Sequence, residues 1–88
     1  MPKKYYVYLL QSAKDNNYYI GQTDNVFKRV EVHNAGRVGS TKNRLPFKLV
    51  GYEEFETREK ARWREYNLKE NTNERKKFIK KLINSADL

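Results

Sequence analysis

Hydrophobic and polar residues alternate in two short segments near the start of the chain, which is the pattern of half-buried β-strands. The first segment, residues 4–11, is rich in Tyr, Val and Leu, and the second, residues 18–22, opens with two tyrosines. The run between them, 12–17, consists mainly of residues that favour turns. We therefore expect an antiparallel hairpin in which Tyr8 lies opposite Tyr19, so that both phenols project from the same side of the sheet.

The rest of the chain predicts one more strand and three helices. Apolar residues spaced three and four apart indicate a helix over residues 25–34, another over 58–69 and a third that begins near residue 73. A proline opens the apolar run 46–55 and suits the first position of a strand. The fold class is therefore α+β, a small three-stranded antiparallel sheet flanked by about three helices in the order β-β-α-β-α-α. Residues 1–88 are expected to form a single domain.

Residues that commonly cap helices stand before each predicted helix. The candidates are Thr23 or Asp24 for the first helix, Thr57 for the second, and Thr72 or Asn73 for the third. Their side-chain oxygens can accept hydrogen bonds from the free amides of a first helical turn, so we expect the helices to begin at these positions.

The chain is strongly basic. It has 19 Lys and Arg against 11 Asp and Glu, a net charge of +8 at pH 7. Such a surface attracts polyanions, so nucleic acid is the first partner to consider, although many small proteins are basic only for solubility. Cysteine is absent, which excludes disulfides, thiolate metal sites and thiol nucleophiles. The apolar stretch 5–10 is too short for a signal sequence or a membrane span, so we expect a cytoplasmic protein without membrane contact.

Five side chains form a set that could cleave a phosphodiester bond. Tyr8 and Tyr19 supply phenols, and Arg29 and His33 lie four residues apart on one face of the first helix. Glu65 adds a carboxylate on the second helix, which could hold one Mg²⁺ ion together with water. Arg29 can bind two phosphate oxygens at once. A phenol serves as general base only where its neighbours lower the cost of losing its proton.

Four more cations are candidates for binding the nucleic-acid backbone. Arg37, Lys42 and Arg44 lie among Gly, Ser and Thr in the aperiodic segment 37–44, and Lys69 stands near the end of the second helix. A loop of this kind can offer both cations and backbone amides to phosphates. The segment is equally consistent with a solvated connector.

Each residue of the catalytic set also has a structural interpretation. Tyrosines are favoured on strands and can pack a core, and His33 can be an ordinary surface residue of a helix. Arg29 and Glu65 can be solvated charges or partners in a salt bridge. The joint order and spacing of the set favours the functional interpretation.

The segments 6–8 (Tyr-Val-Tyr) and 19–21 (Tyr-Ile-Gly), followed by Arg29, His33 and Glu65, resemble the motifs of the GIY-YIG nuclease superfamily. The likeness covers nearly the whole chain. It is closest to small stand-alone bacterial members that look like the N-terminal nuclease domain of the excision-repair protein UvrC. The glycine of the first motif is replaced by tyrosine here, as is common among those small members.

The resemblance implies a role for each member of the set. Tyr8 is the expected general base and Tyr19 its partner, while Arg29 binds the phosphate. His33 is implied as a proton relay or phosphate contact, and Glu65 as the ligand of one Mg²⁺ or Mn²⁺ ion. The fold of the family matches the order of elements predicted above.

Three hypotheses about function follow. The first is a Mg²⁺-dependent endonuclease-like domain that hydrolyses DNA with little sequence specificity, on damaged, branched or single-stranded forms, in repair or recombination. The second is a nucleic-acid-binding module with little or no turnover, because Lys77 stands where many nucleases of the family have an asparagine. The third is an interaction protein that docks an acidic partner through Trp63 and the basic final helix.

Overall fold

The computed structural model describes residues 3–86 of the chain. It has strands and helices in the predicted order, β-β-α-β-α-α. The elements are β1 (Tyr5–Ser12), β2 (Tyr18–Thr23), α1 (Val26–Asn34), β3 (Phe47–Phe55), α2 (Arg58–Glu70) and α3 (Thr72–Ala86), with a short 3₁₀ turn over Lys42–Arg44 before β3. The predicted α+β class with a three-stranded antiparallel sheet is therefore confirmed.

β1 is the central strand of the sheet, and β2 and β3 are its edges. The predicted hairpin forms, but its predicted register is wrong, because Tyr8 pairs with Gly21 and Tyr19 pairs with Leu10. The error is a shift of two residues. Side chains alternate with a period of two along a strand, so Tyr8 and Tyr19 still lie on the same face of the sheet.

The turn between β1 and β2 explains the register. Ser12 N–H donates to Asn17 O (2.9 Å) and Asn16 N–H donates to Ser12 O (2.9 Å), so the loop consists of residues 13–16, whereas pairing Tyr8 with Tyr19 would have required a loop of residues 12–15. Asn16 has a φ of 62°, a left-handed conformation that asparagine tolerates better than most residues. The buried Ser12 hydroxyl also accepts from two loop amides, at 3.1 and 3.2 Å.

The sheet has a hydrophobic core on each face. On one face, α2 and α3 bury a cluster formed by Val7, Leu9, Ile20, Ala61, Leu68, Phe78 and Leu82. On the other face, α1 covers a cluster formed by Tyr8, Leu10, Val26 and Phe47. The alternation along β1 therefore directs Tyr8 toward α1 and its two neighbours in the chain toward α2 and α3.

Each helix begins at a capping residue, although only one predicted cap is right. Thr57 caps α2 as predicted, with its hydroxyl accepting an amide hydrogen bond of 3.2 Å. Asn25, rather than Thr23 or Asp24, caps α1. Asn71 Oδ1 accepts a hydrogen bond of 3.0 Å from the Glu74 amide in the first turn of α3. The cap of α3 therefore lies one residue before the predicted positions. Asparagine is at least as favourable as Thr or Asp in this role.

None of the described helices is long and apolar enough to span a membrane.

Candidate active site

The two predicted phenols and the predicted histidine lie together on the α1 face of the sheet. Tyr8 comes from the central strand, Tyr19 from β2 and His33 from the last turn of α1. The ring centroids are 6.3 Å apart for Tyr8 and Tyr19, 5.9 Å for Tyr8 and His33, and 5.0 Å for Tyr19 and His33. Only 1% of Tyr8 and 0% of His33 is exposed, so the interpretation of His33 as a surface residue is wrong.

Gly21 makes room for the Tyr8 side chain. The two residues are paired across β1 and β2. A Cβ atom at position 21 would overlap the Tyr8 hydroxyl and lie 2.6 Å from its Cζ atom. Any larger residue would therefore displace the phenol, so the glycine has a steric role in placing the Tyr8 hydroxyl.

A buried hydrogen-bond chain links Tyr8, His33 and Thr41. The Tyr8 hydroxyl lies 2.9 Å from His33 Nε2, and His33 Nδ1 lies 2.9 Å from Thr41 Oγ1. The Thr41 hydroxyl also lies 3.3 Å from the Val38 carbonyl, to which it can only donate. We assign the neutral imidazole as the Nδ1–H tautomer from this network. Thr41 then accepts from Nδ1 while donating to Val38, and Nε2 accepts the Tyr8 proton.

Sequence reasoning missed Thr41. It is completely buried, although it lies in the polar segment 37–44 that predicted a phosphate-binding loop or a connector. The amides of Thr41 and Lys42 both donate to Val38 O, at 3.0 and 2.9 Å, and this turn directs the Thr41 side chain inward. The segment has no periodicity, so no sequence signal distinguished Thr41 from its polar neighbours.

Asn34 is a second residue that the sequence did not indicate. Its Nδ2 donates to the Phe47 carbonyl (3.0 Å), and its Oδ1 accepts from the Phe47 amide (2.7 Å). The Phe47 ring in turn lies 6.1 Å from the His33 imidazole. The two hydrogen bonds fasten the last turn of α1 to β3 and so fix the position of His33.

Burial shifts the pKa values of Tyr8 and His33 toward their neutral forms. It raises the pKa of Tyr8 to about 12, and the nearby guanidinium of Arg29 only partly offsets this effect. Burial also lowers the pKa of His33, and the positive charge of Arg29 lowers it further. At pH 7 the pair is therefore a neutral phenol that donates to a neutral imidazole.

The raised pKa of Tyr8 predicts a loss of stability in alkali. The phenol ionises near pH 10 when unfolded and near pH 12 when folded, so its contribution is complete below pH 10 and is lost between pH 10 and 12. We expect the free energy of unfolding to fall by about 2–3 kcal/mol more for wild type than for Tyr8→Phe. Denaturant titrations of both proteins across this range measure the difference. A difference that is independent of pH would contradict the prediction.

Arg29 and Glu65 complete the predicted set. The Arg29 guanidinium lowers the pKa of Tyr8 and the Glu65 carboxylate raises it, which places both charges near the phenol. Glu65 belongs to α2 on the opposite face of the sheet, and its partner Lys69 connects it to the site. Lys69 Nζ lies 3.0 Å from Glu65 Oε2 and 5.8 Å from the centre of the Tyr19 ring. Tyr8, Tyr19 and His33 are thus in contact, Arg29 acts on the Tyr8 phenol through its charge, and Glu65 is linked to Tyr19 through Lys69.

The donor set at this edge suits one weakly held metal ion. Within residues 3–86 no group of three or more His, Asp or Glu could bind a metal, and Glu65 is the one carboxylate of the predicted set. The Lys69 ammonium, 3.0 Å from Glu65 Oε2, would have to move aside for a metal ion to reach this carboxylate. Mg²⁺ is often held by one or two carboxylates together with water and substrate phosphates. Glu65 would be the protein ligand of an ion held in this way.

The remaining predicted contacts to nucleic acid lie at different distances from the site. Arg37 and Lys42 are exposed. Arg44 pairs with Asp15 (Nε to Oδ2, 2.8 Å) and lies over the Phe47 ring at 5.3 Å, so it braces the turn between β1 and β2. Lys69 lies at the site itself. Phosphate binding by these four cations stays a prediction.

Comparison with known proteins identifies the family of the chain. A family profile described as the GIY-YIG catalytic domain matches residues 4–78. A UPF0213 protein of Staphylococcus haemolyticus is 45% identical over 67 residues, which cover 75% of this chain and 80% of the relative. A UPF0213 protein of Clostridium perfringens is 43% identical over 72 residues, covering 81% and 76%. The UPF0213 protein YazA of Bacillus subtilis is 38% identical over 77 residues, covering 85% and 78%.

Proposed function

This chain belongs to the GIY-YIG catalytic domain family, and from this membership we propose that it is a metal-dependent endonuclease that hydrolyses DNA with little sequence specificity. The observation that carries the proposal is the buried chain from Tyr8 through His33 to Thr41, beside Arg29 and Glu65. Repair or recombination is the setting that such an activity fits.

The hydrogen-bond chain provides a path for the proton of an attacking water. A phenol with a pKa of about 12 carries almost no phenolate at neutral pH, so Tyr8 is not a base on its own. Tyr8 can instead accept the water proton while it passes its own proton to His33 Nε2, 2.9 Å away. The water oxygen bonds to phosphorus, the bond to the leaving oxygen breaks, and the leaving oxygen takes a proton from solvent.

Arg29 and Glu65 supply the charges that this reaction needs. The guanidinium can donate two parallel hydrogen bonds to phosphate oxygens and so neutralise the charge that develops there. Glu65 would hold the Mg²⁺ or Mn²⁺ ion, which when bound adds positive charge at the phosphate and at the leaving oxygen. Tyr19 packs against His33 with its ring 5.0 Å away, which helps to keep water from the imidazole.

The charge of the surface favours contacts with the phosphate backbone of a nucleic acid over contacts that recognise its base sequence. The net charge of +8 attracts nucleic acid, and contacts of this kind bind phosphates without reading bases. Such contacts could come from Arg37 and Lys42, which are exposed residues of the same segment, 37–44, that contains the buried Thr41. Lys69 can turn from Glu65 to a phosphate when a metal ion neutralises the carboxylate.

Cleavage assays on a panel of substrates test this function. Supercoiled, branched and single-stranded DNA, and RNA of matched sequence, are incubated with the protein in Mg²⁺, in Mn²⁺ and in EDTA. We expect metal-dependent cutting of DNA by wild type that is lost in parallel preparations of Tyr8→Phe and Glu65→Gln. Equal cutting by the three preparations would identify a contaminating nuclease, and no cutting by wild type would overturn the proposal.

A nucleic-acid-binding module without turnover is the second candidate. Two observations favour it. Lys69 neutralises Glu65 at 3.0 Å, and the exposed Lys77 stands where many nucleases of the family carry an asparagine. Salt-dependent binding by wild type that cuts none of these substrates would support this candidate over the enzyme; the affinity of Glu65→Gln does not discriminate, because both candidates predict that it is retained.

Replacing Thr41 by valine is expected to slow cleavage and to change its pH dependence. Valine has nearly the same shape but cannot accept a hydrogen bond from His33 Nδ1. Both forms of the ring donate from Nδ1, but the hydrogen bond from the imidazolium formed during proton transfer is stronger than the one from the neutral ring by about 1 kcal/mol, so its loss should slow the reaction roughly fivefold. Loss of the acceptor also disfavours protonation of His33, so the acid limb of the pH–rate profile should move to lower pH.

Thr41→Ser is the matched variant for this prediction. Serine keeps the hydroxyl that accepts from His33 Nδ1 (2.9 Å in the wild type) and loses only a methyl group. Its pH–rate profile should therefore follow that of wild type. A serine variant that is as slow as the valine variant would show that Thr41 supports packing rather than the hydrogen bond.

A further inference from the structure

The outer surface of α2 carries two neighbouring aromatic side chains, which we call the α2 ridge. Trp63 and Tyr66 expose 70% and 57% of their surfaces, and their ring centroids lie 5.6 Å apart with an angle of 30° between the planes. Neither residue belongs to the two hydrophobic cores described above. The fold therefore gains little from these rings, and an exposed aromatic pair is a feature of binding surfaces.

Grooves whose walls are mostly apolar, and that also carry charged and amide side chains, run along both sides of the α2 ridge. The groove on one side is lined by the ridge together with Glu59 and Arg62. The other groove shares the same two rings and is lined further by Phe55, Lys60, Arg64, Asn67, Glu70 and Asn71. The surroundings thus offer flat aromatic faces, cations for phosphates and amides that can hydrogen-bond to base edges.

The α2 ridge adjoins the candidate active site. Tyr66 directly follows Glu65, and their Cα atoms are about 3.8 Å apart. At about 100° per residue, the surface of the helix runs from Glu65 past Arg62 and Lys69 to Tyr66 and then to Trp63. A strand with one phosphate at Glu65 can therefore reach the ridge within a few nucleotides, and it passes two cations on the way.

We propose that Trp63 and Tyr66 form a stacking platform for the unpaired bases of a single-stranded segment next to the cleaved phosphate. The proposal rests on the proposed function, because it takes the cleaved strand as the ligand. Stacking on an aromatic ring accepts every base, which agrees with low sequence specificity, but the base must be unpaired to expose its face. The platform therefore selects single-stranded or flapped substrates over intact duplex.

The chain offers a direct reporter of this contact. Trp63 is its one tryptophan, so fluorescence excited at a wavelength that the seven tyrosines do not absorb reports on Trp63 alone. The protein in EDTA is titrated with a single strand of mixed sequence, with an abasic strand of the same length and with a duplex. We expect saturable quenching by the normal strand and little quenching by the other two, because the abasic strand has the phosphates but no bases.

Variants separate stacking from charge. The affinities of Trp63→Ala, Tyr66→Ala and the control Phe27→Ala are measured by the fluorescence anisotropy of a labelled single strand. In the wild type, Phe27 lies on α1 and is 68% exposed. Each platform variant should bind roughly five- to 150-fold more weakly, the factor for one base–aromatic stack, and Phe27→Ala should bind as wild type does. The exposed positions of all three rings leave the fold intact.

Two results would overturn the platform. One is equal quenching by the normal and abasic strands, and the other is wild-type affinity in Trp63→Ala; either would leave a protein partner or a second copy of the chain as the occupant. The test is independent of cleavage because EDTA is present. If wild type cuts DNA and the platform variants bind it with wild-type affinity, only the platform is refuted. If binding depends on the bases but wild type does not cut, only the nuclease is refuted.

Discussion

Glu65→Gln is expected to reduce metal-dependent cleavage by about a thousandfold. Glutamine keeps the shape of the side chain but cannot balance the charge of a divalent ion, and within residues 3–86 no cluster of carboxylates can replace it. The fold should survive the change. The variant loses only a partly exposed ion pair with Lys69, four residues away on the same helix, a pair of a kind worth about 0.3–0.5 kcal/mol.

The defect in Glu65→Gln should lie in turnover rather than in binding. Removal of the carboxylate frees Lys69 for phosphate and makes the protein more positive, so the affinity for DNA should be unchanged or higher. Single-turnover rates and equilibrium binding on one substrate separate the two effects. Glu56→Gln, at an exposed glutamate between β3 and α2, is the control for the change of charge. A Glu65→Gln protein that cuts within about threefold of wild type would exclude Glu65 from the reaction.

The order of elements could be predicted because each element carries a strong local signal. The alternation in β1 and β2 and the helical spacing after them depend only on which side chains must face a core. The register of the hairpin could not be predicted in the same way, since it depends on the backbone of the turn, where Asn16 has a positive φ. The face on which Tyr8 and Tyr19 lie was nevertheless right, because the shift was an even number of residues.

The candidate site shows the same division between local and long-range information. The five predicted residues carry motifs, and the structure brings them together. Thr41 and Asn34 carry no motif, and they act through contacts made by folding: Thr41 through one hydrogen bond with His33 Nδ1, and Asn34 through two hydrogen bonds with the Phe47 backbone. Such contacts join segments that are eight or more residues apart, so neither propensity nor periodicity reports them.

Tyr8→Phe is expected to lower cleavage by about 10²- to 10⁴-fold, the usual contribution of a general acid–base group. Phenylalanine keeps the ring over Gly21 but has no hydroxyl to accept the water proton or to donate to His33 Nε2. The buried Nε2 loses its partner, so stability should also fall by about 1–3 kcal/mol. Tyr6→Phe is the control, because this hydroxyl makes only a 3.4 Å contact with Glu54, and it should cut as wild type does.

Combining variants shows whether the proton passes along the chain from Tyr8 to His33. Thr41 acts on the reaction only through His33 and Tyr8, so Thr41→Val should slow wild type but have little effect in Tyr8→Phe, where the path is already interrupted. Arg29→Lys changes the phosphate contact but keeps the positive charge that acts on His33, so its effect should largely multiply with that of Thr41→Val. Single-turnover rates of the single and double variants give these couplings. An equal effect of Thr41→Val in both backgrounds would mean that Thr41 holds the fold of the site and that the proton leaves Tyr8 by another route.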